Sequence, residues 1–251
     1  WGWRIPFLLS SVLVLLGLWI RKDIDETPDF KKVKQSGQVA KAPLRDTLKH
    51  HWREVLIAAG LKVVETAPFY IFSTFVVSYA TTTLTYQKSQ ALEAVTLGAL
   101  VATVMIPLMG LLSDKIGRQR MYAASVFILG LFIVPWFMLL NTGTTWGIVL
   151  ATVIAFGVLW APVTAVLGTL CSEIFSANVR YTGITLGYQL GAALAGGTAP
   201  LIATGLLAKY DGDWVPVAWY LAVTVVISLI AIFCASRVKR TTLLQAQPEH
   251  L

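Results

Sequence analysis

Seven apolar runs separated by polar segments dominate the hydrophobic pattern of this 251-residue chain. Each run has close to the ~20 residues that a helix needs to cross the hydrocarbon core of a bilayer. The first run is short, and it can cross only if Trp1 and Trp3 anchor its start at the interface. The pattern therefore predicts seven transmembrane helices, over residues 5–20, 55–79, 94–112, 121–140, 145–170, 182–208 and 215–235.

Composition excludes an ordinary soluble domain. Hydrophobic residues make up 56% of the chain and charged residues 13%, with a mean hydropathy of +0.70, whereas soluble domains carry roughly 25% charged residues. The net charge of +7 lies in loops between apolar runs and forms no basic face or nucleic-acid-reading motif, so nucleic acid is not expected as a partner. The composition predicts an all-α, polytopic membrane protein with the lipid bilayer as a partner.

The distribution of Lys and Arg predicts the orientation in the membrane. Sixteen of them fall in residues 21–53, 113–120, 172–181 and 236–251, and three (Arg4, Lys88 and Lys209) fall in the loops on the other side. Because basic residues accumulate in cytoplasmic loops, we expect the N-terminus of the chain outside and the C-terminus in the cytoplasm.

The one long polar segment, residues 21–53, ends in a pattern typical of an amphipathic helix. Apolar residues recur near every fourth position and basic residues lie between them: Leu44, Leu48, Trp52 and Val55, with Arg45, Lys49 and Arg53. Such a helix is expected on the cytoplasmic membrane surface. A plain helical extension of the second span is an equally good interpretation.

Residues 110–120, GLLSDKIGRQR, form a polar hairpin between two spans. Gly117 can adopt a positive φ without a side-chain clash, and Asp114 can pair with Arg118 across the turn. The segment resembles the cytoplasmic loop signature of the major facilitator superfamily. This resemblance implies that the loop acts in a conformational switch. Gln119 departs from the signature, which usually has a basic residue at this position. The matching positions are Gly110, Leu112, Ser113, Asp114, Lys115, Gly117, Arg118 and Arg120.

Residues 171–183 resemble the second cytoplasmic signature of the same superfamily. The matching positions are Glu173, Phe175, Val179, Arg180 and Gly183, while Ser176 and Asn178 depart from it. Together with the opening GWRIPFLLS and residues 181–207, they resemble the metabolite:proton symporter branch, whose members move small organic acids, shikimate, or proline and betaine in bacteria.

This resemblance implies the sixth helix and the C-terminal half of a twelve-helix transporter in the bacterial inner membrane. We therefore expect a transmembrane helix at 1–20 that ends the N-terminal half and a cytoplasmic linker at 21–53. A six-helix C-terminal bundle at 54–236 and a cytoplasmic tail at 237–251 follow. The implied partners are a small metabolite, protons and the missing N-terminal helical bundle.

Small residues form a ridge along the sixth span, at Gly183, Gly187, Gly191, Ala195, Ala199 and Ala203. Thr185 and Gln189 lie about 200° around the helix from this ridge, so that one side packs and the other presents polar groups. Tight packing alone explains the ridge, whereas the polar side suggests a substrate cavity.

Lys62 and Glu65 form the one ionisable pair inside an apolar run. A charge at this depth costs at least ~2.5 kcal/mol, so it normally faces a wet cavity or a partner. The pair is a candidate for proton coupling, and Thr66, Phe69 and Ser73 continue the same helix face as candidate cavity residues. Alternatively, Lys62 only neutralises Glu65 as a packing pair.

These observations favour a secondary transporter that works by alternating access, with a stand-alone seven-helix receptor or sensor as the alternative. No HExxH, GxSxG or clustered His and Asp supports an enzyme. Cys171 and Cys234 are isolated from each other and from histidines. Neither a metal site nor a cofactor is expected.

Overall fold

A computed structural model describes residues 2–23, 43–176 and 179–245, and the regular structure within these ranges is helical. The chain divides into two compact units, residues 1–41 and 42–251. In the first unit a short 3-10 turn at Gly2–Arg4 leads into helix α1 (Ile5–Asp23). Its apolar stretch, Phe7–Ile20, is shorter than the spans of the second unit.

The second unit begins with a short helix, α2 (Pro43–His50), followed by six long helices. Within the described residues these six are long and apolar enough to cross a membrane. They are α3 (Trp52–Thr82), α4 (Lys88–Ile116), α5 (Arg118–Leu140), α6 (Thr145–Ser172), α7 (Arg180–Lys209) and α8 (Val215–Gln245), of which Val215–Arg237 is the apolar crossing part. Together with α1, they confirm the predicted all-α membrane fold.

The six long helices are joined by short turns, so consecutive helices run in opposite directions. One end of the bundle, called the α2 end below, holds α2, the turn at Gly117 and the end of α6. At the opposite end Tyr86 ties two turns together, since its hydroxyl donates to the carbonyl oxygens of Leu140 at 2.9 Å and Thr144 at 3.2 Å. Burial raises the pKa of this phenol above its ordinary value.

Polar contacts between helices satisfy backbone groups inside the bundle. The hydroxyl of Tyr122 on α5 donates to the carbonyl oxygen of Leu61 on α3 at 2.5 Å. Ser228 on α8 donates to the carbonyl oxygen of Gly60 at 2.6 Å and accepts the N–H of Val64 at 3.1 Å. Such bonds hold α3 at the centre of the bundle, where water is scarce and unpaired polar groups are costly.

The predicted ridge of small residues on α7 is buried at all six positions, and it packs against α3. A Cβ at Gly187 would lie 2.5 Å from Cβ of Ala58, and one at Gly191 would lie 2.6 Å from the carbonyl oxygen of Ala59 and 2.7 Å from Cβ of Lys62. Small residues at this interface therefore let the α7 backbone approach the part of α3 that carries Lys62.

We expect Gly191→Ala to destabilise the bundle, by about 1–3 kcal/mol, because the added methyl group overpacks the contact between α3 and α7. The measurement is the midpoint of thermal unfolding in detergent. Gly205→Ala, on the same helix, is the matched control, since a Cβ at Gly205 meets no atom within 4 Å. Equal midpoints for the two variants would contradict the close approach at Gly191.

Within the described ranges, three helices contain a π-helical segment: Ile71–Phe75 in α3, Val153–Leu159 in α6 and Ala192–Gly196 in α7. Pro162 and Pro200 each follow such a segment by a few residues, and a proline ring displaces the carbonyl group four residues earlier. In both cases that carbonyl belongs to the π-helical segment. The widened turns therefore accommodate prolines that lie inside membrane-spanning helices.

Candidate functional site

Lys62 and Glu65 lie one turn apart on α3 and form an ion pair. Their side chains are 18% and 13% exposed, so the pair is largely removed from the surface of the bundle. Glu65 lies ~20 Å along α3 from its first residue, close to the middle of this helix. The ammonium group of Lys62 also lies 4.9 Å from the ring centroid of Tyr188 on α7, a favourable cation–π contact.

The carboxylate of Glu65 accepts hydrogen bonds from two helices. Oε2 accepts from the hydroxyl of Thr66 at 2.9 Å, and Oε1 accepts from the hydroxyl of Thr164 on α6 at 3.1 Å. The indole N–H of Trp160, also on α6, donates to the backbone carbonyl of Glu65 at 2.6 Å. Side chains from α3, α6 and α7 therefore build one polar site around the pair.

Phe69 extends this site with an aromatic surface. The centroid of its ring lies 5.2 Å from the ring centroid of Trp160, 5.6 Å from that of Phe156 and 5.3 Å from that of Tyr70. Because Trp160 contacts both Phe69 and the Glu65 backbone, the aromatic cluster adjoins the ion pair. Ser73, the last residue predicted on this face, donates its hydroxyl to the Phe69 carbonyl at 2.6 Å.

Five residues of the site were not among the residues predicted from sequence: Trp160, Thr164 and Tyr188 around the ion pair, and Tyr70 and Phe156 in the aromatic cluster. The available signal was weak: Thr164 is a hydroxyl residue in an apolar run, four positions after a tryptophan. Thr185 and Gln189 are exposed on α7, away from the buried ridge as predicted. A role for them in a substrate cavity stays a prediction.

At the α2 end of the bundle, Arg118 joins the two signature segments. Its Nη2 donates to Oδ1 of Asp114 at 3.1 Å, and its Nη1 donates to Oε1 of Glu173 at 2.7 Å. The predicted pair of Asp114 and Arg118 is thus confirmed, and Glu173 adds a second, shorter contact from the end of α6. Gly117 has φ +98°, a conformation that favours glycine.

The other signature residues surround this charge cluster. Lys115 and Arg120 are exposed, and Gly110 is half-buried, with its carbonyl accepting from the hydroxyl of Ser113 at 2.7 Å. Arg180 donates through Nε to the Phe175 carbonyl at 3.3 Å, within the turn between α6 and α7. A cleft of about 420 Å³, lined by Asp114, Gly117, Arg118, Arg120 and Glu173 among others, opens beside the cluster.

Within the described part of the chain, no group of three or more His, Cys, Asp or Glu is placed to hold a metal ion. Cys171 is buried and Cys234 half-buried, and both are free thiols. The polar groups gathered around Glu65 and Arg118 are an ion pair and a charge cluster.

Comparison with known proteins identifies related transporters. The chain is 32% identical over 230 residues to the shikimate transporter of Escherichia coli (strain K12), covering 91% of this chain and 52% of that protein. It is 29% identical over 251 residues to the inner membrane metabolite transport protein YhjE of the same strain, covering 97% of this chain and 56% of that protein.

A third relative is the glycine betaine/proline/ectoine/pipecolic acid transporter OusA of Dickeya dadantii (strain 3937), 28% identical over 239 residues, which cover 92% of this chain and 47% of that protein. The chain thus spans about half the length of these curated relatives. No solved structure matches it.

The family model described as Major Facilitator Superfamily matches residues 1–196 and, a second time, residues 68–250. These two matches together cover the apolar helices and both loop signatures, including the hairpin in which Arg118 bridges Asp114 and Glu173. The chain is a multi-pass membrane protein that belongs to the Major Facilitator Superfamily.

Proposed function

We propose that the chain is the helix preceding the linker and the six-helix C-terminal half of a secondary transporter, which moves a small carboxylate-bearing metabolite together with protons by alternating access. The observation that carries this proposal is the Lys62–Glu65 pair, held near the middle of α3 by groups from α6 and α7. The names of its relatives support transport rather than the alternative, a receptor or sensor.

In this proposal the ammonium group of Lys62 binds the substrate carboxylate. It is a cation in a largely buried site, and its counter-ion is another carboxylate, that of Glu65. A substrate carboxylate can therefore replace Glu65 at the ammonium group, and the net charge of the site is unchanged if Glu65 takes up a proton. Shikimate, proline and betaine, which the relatives' names mention, each carry one carboxylate group.

Glu65 is the proton carrier. When a substrate occupies Lys62, the carboxylate of Glu65 loses its counter-ion, and a buried carboxylate without a counter-ion is stabilised by protonation. Substrate arrival would thus favour protonation of Glu65. Substrate departure would let Glu65 pair with Lys62 again and release the proton. Because the two events are linked, the transporter carries a proton with each substrate molecule.

The aromatic cluster around Phe69 supplies the surface for the rest of the substrate. A ring or a methylated ammonium group beside the carboxylate can pack on the faces of Phe69 and Trp160, which adjoin the pair. Thr66 and Thr164 already donate to Glu65 and can donate to substrate oxygens when Glu65 is protonated. Thr185 and Gln189, exposed on α7, would line the side that faces a second bundle.

Transport requires that second bundle, because substrate sites in such transporters lie at the interface between two halves. We expect the chain alone, reconstituted in proteoliposomes, to show no uptake of shikimate, proline or betaine. Joined to the part of the E. coli shikimate transporter that the alignment leaves uncovered, it should take up at least one of them. Uptake by the chain alone would contradict a site shared between halves.

We also propose that the α2 end of the bundle faces the cytoplasm, as the count of basic residues favours. A cysteine introduced at Gly212, in the turn at the opposite end, should react with an impermeant thiol reagent in intact cells. A cysteine at Gln119, in the hairpin, should react only after permeabilisation. Strong labelling at Gln119 in intact cells would reverse the proposed orientation.

A further inference from the structure

An exposed row of apolar side chains runs from α2 into the start of α3. Leu44, Leu48, Trp52 and Leu56, four positions apart, are 55%, 52%, 49% and 57% exposed. Val55, which the sequence pattern assigned to this row, is instead buried at 2%. The helix breaks at His51 (φ −126°, ψ 23°), and this break changes which residue of the first turn of α3 continues the row.

A row of basic residues runs beside the apolar one. Arg45, Lys49 and Arg53 are all exposed, and the guanidinium of Arg53 lies 5.4 Å from the ring centroid of Trp52. Thr47, by contrast, is fully buried. Since Lys49 lies about 200° around the helix from Thr47, α2 presents one face to the bundle, its basic row to the opposite side and its apolar row in between.

The apolar row continues into the exposed surface of a helix that is long and apolar enough to cross a membrane. Leu56 belongs to the membrane-crossing helix α3, and its exposed side chain is one turn beyond Trp52 on the same row. The exposed apolar row therefore extends from Leu56 to Leu48 and Leu44 without an intervening polar residue. The level of Trp52 and Arg53 corresponds to the headgroup region, where aromatic and basic side chains are favoured.

We propose that α2 and the first turn of α3 form a binding surface for the anionic phospholipids of the leaflet at this end of the bundle. Leu44 and Leu48 enter the boundary between headgroups and acyl chains, while Arg45, Lys49 and Arg53 bind the lipid phosphates. The occupant is lipid because the exposed surface combines apolar and cationic rows in register, and because its apolar row begins inside the membrane.

The first test measures depth. A nitroxide spin label at Leu48→Cys, with both native cysteines replaced by Ala, is compared with a label at Lys115→Cys in the hairpin at the same end. In nanodiscs of phosphatidylcholine and phosphatidylglycerol, the label at position 48 should collide more with oxygen than with a water-soluble nickel complex. The label at position 115 should show the opposite preference.

The second test measures the preference for charge. The purified chain is extracted from bilayers containing equal amounts of the two lipids, and the retained lipids are counted by native mass spectrometry. Each basic side chain near an anionic surface contributes about fivefold. We therefore expect Arg45→Gln/Lys49→Gln to lower the retained ratio of phosphatidylglycerol to phosphatidylcholine about fivefold or more. Lys88→Gln/Lys209→Gln removes two exposed charges at the opposite end and should lower the ratio less.

Three results would overturn the proposal. A water-accessible label at position 48 in nanodiscs would show that the row does not enter the membrane. A label inaccessible to both reagents, in phospholipid-free detergent and in nanodiscs alike, would show that protein covers it. Equal lipid ratios for the two charge variants would show that Arg45 and Lys49 do not select anionic lipid.

Discussion

Glu65→Gln is expected to abolish uphill accumulation of substrate by the transporter assembled with its second bundle, while exchange of substrate across the membrane continues. Glutamine preserves the shape of the side chain and one acceptor oxygen, but its amide nitrogen donates where the carboxylate accepts, and it cannot gain or lose a proton. Net symport needs a proton to be taken up on one side and released on the other. Counterflow exchange needs no net proton movement, so it should remain measurable.

The expected loss is large. For a zwitterionic substrate with no net charge, such as proline or betaine, one proton moved across 100 mV is worth ~2.3 kcal/mol, which corresponds to about fifty-fold accumulation. The Glu65→Gln variant should equilibrate substrate without concentrating it. The measurement is uptake of radiolabelled proline or betaine in vesicles with an imposed potential, beside counterflow in the same vesicles. Glu93→Gln, which neutralises an exposed carboxylate at the start of α4, is the matched control.

A loss of folding must be separated from a loss of coupling, because Glu65→Gln leaves Lys62 without its counter-ion in a largely buried site. Removing one partner of a buried ion pair typically costs about 3–5 kcal/mol. The double variant Lys62→Met/Glu65→Gln removes both charges and should regain much of that stability without regaining accumulation. If Glu65→Gln still concentrates substrate, the pair is structural and the proton carrier lies elsewhere.

The spans and the ion pair could be predicted from sequence because they depend on short-range patterns. Runs of ~20 apolar residues define bilayer-crossing helices, and residues three apart face each other within one helix. Boundaries were less accurate. α3 and α4 begin at Trp52 and Lys88, before their apolar runs, because interfacial aromatic and basic residues continue a helix into the headgroup region.

The contacts between helices could not be predicted in the same way. The small residues of α7 indicated a packed face. They did not indicate that α3 would pack on this face, or that the side chain of Lys62 would lie against Gly191. The contacts of Glu65 with Thr164 and of Lys62 with Tyr188 depend on how α6 and α7 pack around α3. No spacing within one helix contains that information.

The charge cluster at Arg118 shows the same division. The spacing of Asp114 and Arg118 predicted their pair, four residues apart across the turn. Glu173 belongs to a separate signature, 55 residues further along the chain from Arg118, and its contact with Arg118 is visible only in the fold. Resemblance marked both segments as functional but gave no reason for them to meet.

Glu173→Gln is expected to slow transport turnover more than Asp114→Asn, with little effect of either on substrate affinity. The contact of Arg118 with Glu173 is shorter, at 2.7 Å against 3.1 Å, and Glu173 is 26% exposed against 60% for Asp114. A more exposed ion pair is weaker because water screens it. We expect about a tenfold loss of turnover for Glu173→Gln and a two- to threefold loss for Asp114→Asn.

The reason is that the cluster lies at the α2 end of the bundle, whereas the proposed substrate site lies near the middle of α3. If the cluster stabilises one state of the alternating-access cycle, weakening it changes the populations of the states and slows the return step, but leaves the substrate contacts intact. Asp211→Asn, which neutralises an exposed carboxylate in the turn at the opposite end of the bundle, is the control and should change turnover little. The measurement is the maximal rate and the half-saturating concentration of uptake for each variant. A reduced affinity at normal turnover in Glu173→Gln would place the cluster in substrate binding instead. Equal effects of Glu173→Gln and Asp114→Asn on turnover would contradict a larger contribution of the contact between Arg118 and Glu173.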